Sequence, residues 1–89
     1  MQAVITVVGT DKVGILAKIS TICAQADVNI EEVTQTILRG TFAMIMLATL
    51  PDGGIAFGDL AQLLREGGQE LGVEVTITRQ DTFDAMHRI

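Results

Sequence analysis

The sequence has few aromatic residues and little positive charge. Its 89 residues include three phenylalanines and no tryptophan or tyrosine. Because 48% of the residues are hydrophobic and only 19% are charged, the chain can still bury a core, and that core must be aliphatic. Six basic residues against eleven acidic ones give a net charge of -5, which repels a phosphate backbone. We therefore expect one globular domain and no direct binding to nucleic acid.

Cysteine and histidine are also scarce, since each occurs once, as Cys23 and His87. A single cysteine cannot form an internal disulfide, which fits a reducing cytosol, and one Cys with one His cannot hold zinc. No apolar run approaches the roughly 18 residues of a membrane span, and the first residues lack the basic start of a signal peptide. We expect a cytoplasmic protein with no metal, no cofactor and no membrane association.

No group of residues suggests a catalytic centre. Cys23 falls on the apolar stripe of a predicted helix, where a buried thiol is expected rather than a nucleophile. Glu31 and Glu32 are neighbours in a predicted strand, so their side chains should point to opposite faces. Asp81 and Asp84 have the spacing of solvated charges on a helix. The sequence predicts no catalytic residue, and we expect that the protein is not an enzyme.

Four short stretches have the composition of β-strands. Residues 2–8 and 41–50 are apolar almost throughout, which is typical of strands buried on both faces. Residues 30–38 carry polar side chains at many positions, and in residues 73–79 apolar and polar side chains alternate. We expect the two apolar strands at the centre of a sheet and the two more polar strands at its edges.

Two amphipathic helices are predicted from apolar residues that recur at helical spacing. The stripe of the first helix comprises Ile15, Ile19, Ile22, Cys23 and Ala26. The stripe of the second helix comprises Phe57, Leu60, Leu63, Leu64, Gly67 and Leu71. Asp11 precedes the first helix and is the residue expected to cap it. Arg39 and Gly40 predict a two-residue hairpin turn between the second and third strands.

The predicted elements follow the order β-α-β-β-α-β. We expect an α+β, ferredoxin-like sandwich, with a four-stranded antiparallel sheet and both helices on one face. That arrangement leaves the other face of the apolar central strands uncovered. In the tail, residues 80–89, the side chains of Phe83, Met86 and Ile89 form one stripe of a short C-terminal helix. Either this helix, a second copy of the protein, or both should cover the open face, so we expect a homo-oligomer, a dimer or larger.

The segment that joins the first strand to the first helix, residues 9–20, reads GTDKVGILAKIS. A phosphate-binding loop needs Lys and then Ser or Thr directly after its second glycine, whereas Ile15 and Leu16 follow Gly14 here. A dinucleotide-binding turn needs G-x-G-x-x-G, which is absent. The free amides at the start of a helix still favour an anionic group, such as a ligand carboxylate. Nucleotide binding is therefore excluded, and binding of a small anionic ligand is not.

Three motifs in order carry a resemblance to a known family. Asp11-Lys12-Val13-Gly14 follows the first strand, an apolar helix comes next, and Asn29-Ile30 opens the second strand. Within a βαββαβ frame of 89 residues, this arrangement resembles an ACT domain over the whole chain. Phe83-Asp84-Ala85-Met86 further resembles a small stand-alone ACT family of bacterial and archaeal proteins. The resemblance implies a single ACT domain over residues 1–89, with residues 80–89 as its tail helix.

The resemblance to ACT domains implies an amino acid or a similar small effector, bound at a subunit interface by the first turn and the start of the second strand. The corresponding residues are Thr10, Asp11, Lys12, Val13, Gly14, Ile15, Leu16, Asn29 and Ile30. ACT domains often have Pro where Val13 stands, and Val adds one backbone donor. An ammonium group of the effector would meet Asp11 or Asn29. Structural interpretations stay open for three of these residues: Asp11 as a helix cap, Gly14 as a glycine with positive φ or close packing against the helix, and Asn29 as a turn residue.

The sequence therefore favours a non-catalytic regulatory module that binds a small amino-acid-like effector and acts through contact with a possible protein partner. The alternative is a ligand-free module of the ACT fold that serves protein–protein assembly. The apolar open face of the predicted sheet suits either function, because large exposed apolar patches are typical of contact surfaces.

Overall fold

The computed structural model describes residues 1–10 and 13–86, and their elements have the predicted order. The elements are β1 (Gln2–Thr10), α1 (Ile15–Gln25), β2 (Asn29–Leu38), β3 (Thr41–Thr49), α2 (Phe57–Leu71), β4 (Glu74–Arg79) and α3 (Gln80–Met86). The predicted βαββαβ order and the short C-terminal helix are confirmed. The strand ends differ from the predicted ones by one or two residues, because hydrogen bonding rather than composition sets where a strand ends.

The four strands form one antiparallel sheet in the order β2-β3-β1-β4. β1 pairs with β3 over its whole length on one side and with β4 on the other. β2 pairs only with β3, and the register shifts between Ile30 and Glu32, so that Glu31 forms a bulge. The two apolar strands therefore lie at the centre and the two polar strands at the edges, as predicted.

The hydrophobic core lies between the two helices and one face of the sheet. Its largest fully buried side chains are Ile5, Val7, Ile19, Cys23, Met44, Met46, Leu60 and Leu64. Phe42 is the only aromatic side chain among the buried residues described, so the core is aliphatic, as the composition predicted. Full burial of one such aliphatic side chain contributes about 1.5 to 3 kcal/mol to the free energy of unfolding.

Two predictions about the helices are wrong. Leu63 was expected on the buried stripe of α2 but is 45% exposed, because α2 packs through Leu60 and Leu64 and Leu63 lies to one side of that row. α1 starts from a glycine, which has no side chain to cap it. Its N-cap is Gly14, in the left-handed conformation, so the helix begins later than a cap at Asp11 would require. Asp11 itself lies outside the described residues.

α3 covers part of the second face of the sheet. Val4 is 1% exposed although it does not belong to the core on the helix face, and α3 contacts both β1 and β4. Farther along β1, Val8 is still 41% exposed. Within the predicted tail stripe, Phe83 is half-buried, Met86 is 62% exposed, and Ile89 lies outside the described residues. The prediction that Met86 contributes to the cover is therefore wrong, and much of the open face stays accessible.

Candidate functional site

The turn between β1 and α1 is open to solvent and ends in a left-handed glycine. Thr10 and Gly14 are exposed, and the side chain of Val13 is 99% exposed. Gly14 has φ 90°, and a Cβ at this position would meet no atom of the described residues within 4 Å. The backbone conformation, rather than close packing, is therefore what requires glycine here. The interpretation of Gly14 as a close-packing residue is wrong, and Asp11 and Lys12 lie outside the described residues.

The N-cap residue of α1, Gly14, has no side chain that could cap the first backbone amides of the helix. The first bond of the helix runs from the Lys18 amide to the Gly14 carbonyl oxygen, at 2.9 Å. The amides of Ile15 and Leu16 precede that bond and have no acceptor within the helix. Such amides, together with the helix dipole, favour an anion by about 0.3 to 1 kcal/mol at an exposed site. The Ile15 side chain is buried in the core, so only its backbone can serve a ligand, whereas Leu16 is 41% exposed.

Gly9 fixes the position of this turn on the body of the protein. A Cβ on Gly9 would lie 2.7 Å from Cγ1 and 3.1 Å from Cα of Val73. Val73 is itself buried and follows Gly72, the residue that ends α2. The end of β1 is thus packed against the connection between α2 and β4. The sequence gives no indication that Gly9 packs against Val73, because the two residues are 64 positions apart in the chain.

The start of β2 forms a small polar cluster around the bulge. Asn29 Nδ2 donates to Glu31 Oε1 at 2.8 Å, and Thr49 Oγ1 donates to the same oxygen at 3.0 Å. Ile30 is half-buried and packs against the core, so Asn29 and Glu31 are the groups that meet solvent. The cluster presents a carboxylate and the Asn29 carbonyl oxygen, both of which accept hydrogen bonds from an ammonium group.

Glu31 is a candidate site residue that the sequence analysis missed. Strand alternation treats Glu31 and Glu32 as two acidic residues on opposite faces, and the bulge that distinguishes them is set by pairing with β3. The one signal in the sequence is the spacing of Asn29 and Glu31, since residues two apart on a strand lie on the same face.

The turn and the start of β2 lie at opposite ends of the sheet. Asn29 pairs with Thr49, and Thr49 pairs with Gln2 at the beginning of β1. The turn follows Thr10, at the other end of β1. At 3.3 Å per residue, the strand between Gln2 and Thr10 separates the two by about 26 Å. A single chain therefore does not bring the predicted site residues together.

β2 is an open edge with apolar side chains on it. Residues 31–37 are all exposed, and β3 is the one strand that pairs with β2 in the described part of the chain. Val33 and Ile37 lie on the helix face of the sheet, opposite the core residues Met46 and Phe42 of β3, and are nevertheless 41% and 59% exposed. Apolar side chains on an exposed edge are typical of a contact surface.

A cleft of about 680 Å³ lies at the opposite edge, between α2 and β4. The helix contributes Phe57, Ala61, Arg65 and Gln69, and the strand side is formed by residues 72–77. The predicted site residues do not line this cleft. The sequence analysis predicted no site here, although the four helix residues recur at a constant spacing of four.

Side chains that bind metal ions are not clustered within residues 1–10 and 13–86. In that part of the chain, no three His, Cys, Asp or Glu side chains are placed to hold a metal ion. No helix there is long and apolar enough to cross a membrane. Burial raises the pKa of the Cys23 thiol above its ordinary value, which disfavours the thiolate at neutral pH. Cys23 is therefore a core side chain, as its place on the helix stripe predicted.

Comparison with known proteins agrees with this fold. Residues 1–78 match the family model of the ACT domain. A UPF0237 protein of Methanopyrus kandleri is 44% identical over 88 residues, which cover 99% of this chain and 98% of that protein. The solved structure of an ACT domain protein from Streptococcus pneumoniae is 36% identical, with a TM-score of 0.82 over 94% of each chain. A solved structure described as a candidate glycine cleavage system transcriptional repressor is 26% identical, with a TM-score of 0.72 over 86% of this chain and 44% of that one. The chain belongs to the ACT domain family, as its D-x-x-G turn and its βαββαβ order predicted.

Proposed function

We propose that the chain is a stand-alone, non-catalytic regulatory module of the cytoplasm. In this proposal it binds a small amino-acid-like effector between two copies and acts through contact with a protein partner. ACT domains are typically regulatory and ligand-binding, which supports the general class. The observation that carries the specific proposal is the separation of the turn and the Asn29 cluster at opposite ends of one sheet.

The two halves of the candidate site are complementary in charge. The amides at the start of α1 suit a carboxylate, and the N-cap Gly14 has no side chain that competes for them. The Glu31 carboxylate and the Asn29 carbonyl oxygen suit an ammonium group. An amino acid carries both groups on one carbon atom, so it can bridge one half-site of each kind. Because the halves are about 26 Å apart within one chain, that bridge requires two chains.

Antiparallel pairing of two copies through β2 would bring the halves together. When a two-fold axis passes through Gln35, Val33 of each copy lies opposite Ile37 of the other, on the same face of the joined sheet. The exposed apolar side chains then cover one another. The start of β2 in each copy also comes to the end of the other copy's sheet that carries Thr10 and the turn. One interface thus covers an apolar edge and completes two effector sites.

The description of one relative supports the effector class. The structure described as a candidate glycine cleavage system transcriptional repressor is 26% identical to this chain, and its description joins regulation to an amino acid. The match covers only 44% of that protein, so its role in transcription is not transferred to this chain. The similarity of fold and the mention of glycine in that description support an amino acid as the class of effector.

A second candidate function is assembly without a ligand. The apolar side chains on the β2 edge and on the open face of the sheet favour it, because they would drive association whether or not an effector is present. The two functions differ in one measurable property. An effector that bridges two copies stabilises the dimer, and a ligand-free module gains no stability from any amino acid.

A thermal unfolding screen of the purified protein against each of the twenty amino acids tests the proposal. At a hundredfold excess over its dissociation constant, an effector stabilises the native state by about 2.7 kcal/mol. For a domain of this size, that corresponds to a rise in melting temperature of roughly 10 to 20 °C. A rise with one amino acid or a small group of them is expected. A flat response to all twenty supports ligand-free assembly instead.

A pair of substitutions at Gly14 tests whether the turn forms the site. Asn tolerates the left-handed backbone, so Gly14→Asn should melt near the parent protein while its side chain occupies the open space before α1. We expect it to abolish the effector-dependent rise. Gly14→Val should lower the ligand-free melting temperature by several degrees, because a β-branched residue costs roughly 1 to 2 kcal/mol in this conformation. An undiminished rise in Gly14→Asn would place the effector elsewhere.

A further inference from the structure

We propose that the cleft between α2 and β4 binds an extended peptide segment of another protein. The segment adds as a fifth strand beside β4 and presents an acidic side chain to Arg65. This inference goes beyond the effector site, because the effector site uses the β2 edge and the cleft lies at the β4 edge.

The shape of the cleft fits an extended chain. Phe57, Ala61, Arg65 and Gln69 are spaced by four residues, so they form one ridge along α2. The ridge spans twelve residues of helix, or about 18 Å. β4 forms the other wall. An extended peptide rises about 3.3 Å per residue, so about five peptide residues would fill the trough.

The backbone of β4 supplies the hydrogen bonds for such a segment. β4 pairs with β1 on one side and is the last strand of the sheet as described. Every second residue of a sheet-edge strand directs its N–H and C=O groups outward, where another extended chain can pair with them. Strand addition of this kind supplies affinity through the main chain and specificity through alternate side chains. An antiparallel segment continues the pattern of the existing sheet.

The side chains of the cleft define the sequence that the segment should have. Phe57 and Ala61 line one end of the ridge, next to Ile77, and favour apolar side chains. Arg65 follows along the ridge, and the ion pairs within the described residues do not include it. Glu74 also lines the cleft, but it lies opposite Val8, on the face of the sheet away from the helices, and it forms no ion pair with Arg65. The free guanidinium therefore selects an acidic side chain on the helix face of the added strand.

Charge also disfavours a second copy of the chain as the occupant. Gly68 packs against Val75, so Arg65, three residues earlier on α2, lies near the level of Val75 and Thr76. A symmetric antiparallel pairing centred on Thr76 would bring the two Arg65 guanidinium groups to the same level on the same face. Within one copy, the ion pairs of the described residues do not include Arg65, so its charge is not neutralised there. The β4 edge therefore suits a negatively charged partner better than it suits the β4 edge of a second copy.

NMR titration of the isotopically labelled full chain with a capped pentapeptide, acetyl-Val-Thr-Val-Thr-Glu-amide, tests the proposal. Its two valines and its glutamate alternate, so all three can face the ridge while the threonines face away. Shifts in the amide signals of β4 and α2 are expected, with the β2 signals unchanged. Arg65→Gln should weaken binding about tenfold, as the loss of one charge-assisted hydrogen bond predicts. Arg39→Gln is the control, because Arg39 is exposed and lies in the turn between β2 and β3, away from β4 and the cleft.

Three further peptides separate the parts of the proposal. Replacement of the glutamate by lysine should weaken binding to the parent protein and not to Arg65→Gln. Two peptides methylated on complementary sets of backbone amides test strand addition, since one of the two sets must face β4. Equal binding by both methylated peptides and the parent peptide would overturn the proposal. The absence of peptide-induced shifts at millimolar concentration, or a dimer held through β4, would overturn it as well. None of these outcomes depends on an amino-acid effector, so failure here and failure of the proposed function are distinguishable.

Discussion

Asn29 and Glu31 are joined by a hydrogen bond at the end of the sheet farthest from the turn, with 2.8 Å between Asn29 Nδ2 and Glu31 Oε1. The bond uses an amide donor of Asn29 and leaves its carbonyl oxygen as an acceptor. It also holds a carboxylate beside that acceptor. The bulge is the reason that Glu31, rather than Glu32, is in this position.

Replacement of this carboxylate should weaken effector binding with little effect on folding. In Glu31→Gln the charge that attracts the ammonium group is lost, so we expect about a tenfold lower affinity for the amino acid found in the screen. Both acidic side chains are exposed, so the ligand-free melting temperature should change by only a few degrees. Glu32→Gln is the control and should bind normally. Titration calorimetry measures the effector affinity of both variants. Equal losses of affinity in the two variants would exclude Glu31 from the site.

The β2 edge should hold the dimer together. Ile37→Lys places a charge in the proposed interface and should give a 9.5 kDa species in sedimentation experiments at micromolar concentration, whereas the parent protein sediments as a dimer. Val8→Lys introduces the same charge on the open face of the sheet and should leave the dimer intact. The reverse pattern would show that the copies associate face to face through the open sheet.

Gly9 should be required for stability, whereas Gly58 should not. Gly9→Ala forces a Cβ against Val73, within 2.7 Å of its Cγ1, and we expect a loss of about 1 to 3 kcal/mol in the free energy of unfolding. Gly58 lies in α2 with open space around its Cα, so Gly58→Ala should gain roughly 0.5 to 1 kcal/mol from helix propensity. Urea unfolding measures both changes. If Gly9→Ala leaves the free energy of unfolding unchanged, the end of β1 can move away from Val73 without loss of stability.

Stability should fall in alkaline solution because Cys23 is buried. Burial raises the pKa of its thiol above the ordinary value of 9.0, so the unfolded chain loses this proton at a lower pH than the folded chain does. The buried, protonated thiol makes its full contribution to the free energy of unfolding below pH 9. Above pH 9 this contribution declines, by up to about 1.4 kcal/mol per pH unit. Urea midpoints from neutral pH to pH 10 should therefore decline more steeply for the parent than for Cys23→Ala. Parallel declines would show that other groups dominate the alkaline loss.

Most of the fold could be predicted because it depends on local composition and periodicity. The apolar runs of β1 and β3, the polar runs of β2 and β4 and the helical stripes of α1 and α2 indicate the order of elements and the place of each strand. The predictions that failed concern details that neighbours decide. Leu63 has the hydrophobicity of a core residue, and only the docking angle of α2 leaves it exposed.

The sequence by itself indicated the turn and Asn29 as candidate site residues, and only the tertiary structure decided where they lie and added Glu31 to them. The D-x-x-G turn and Asn29 are recognisable as motifs, but their separation by the length of a sheet follows from strand pairing, which periodicity does not encode. The bulge at Glu31, the contact of Gly9 with Val73 and the cleft between α2 and β4 arise in the same way. Each joins residues distant in sequence or depends on the register of a neighbouring strand. Local pattern specifies which face of an element is buried, whereas long-range packing specifies what that face meets.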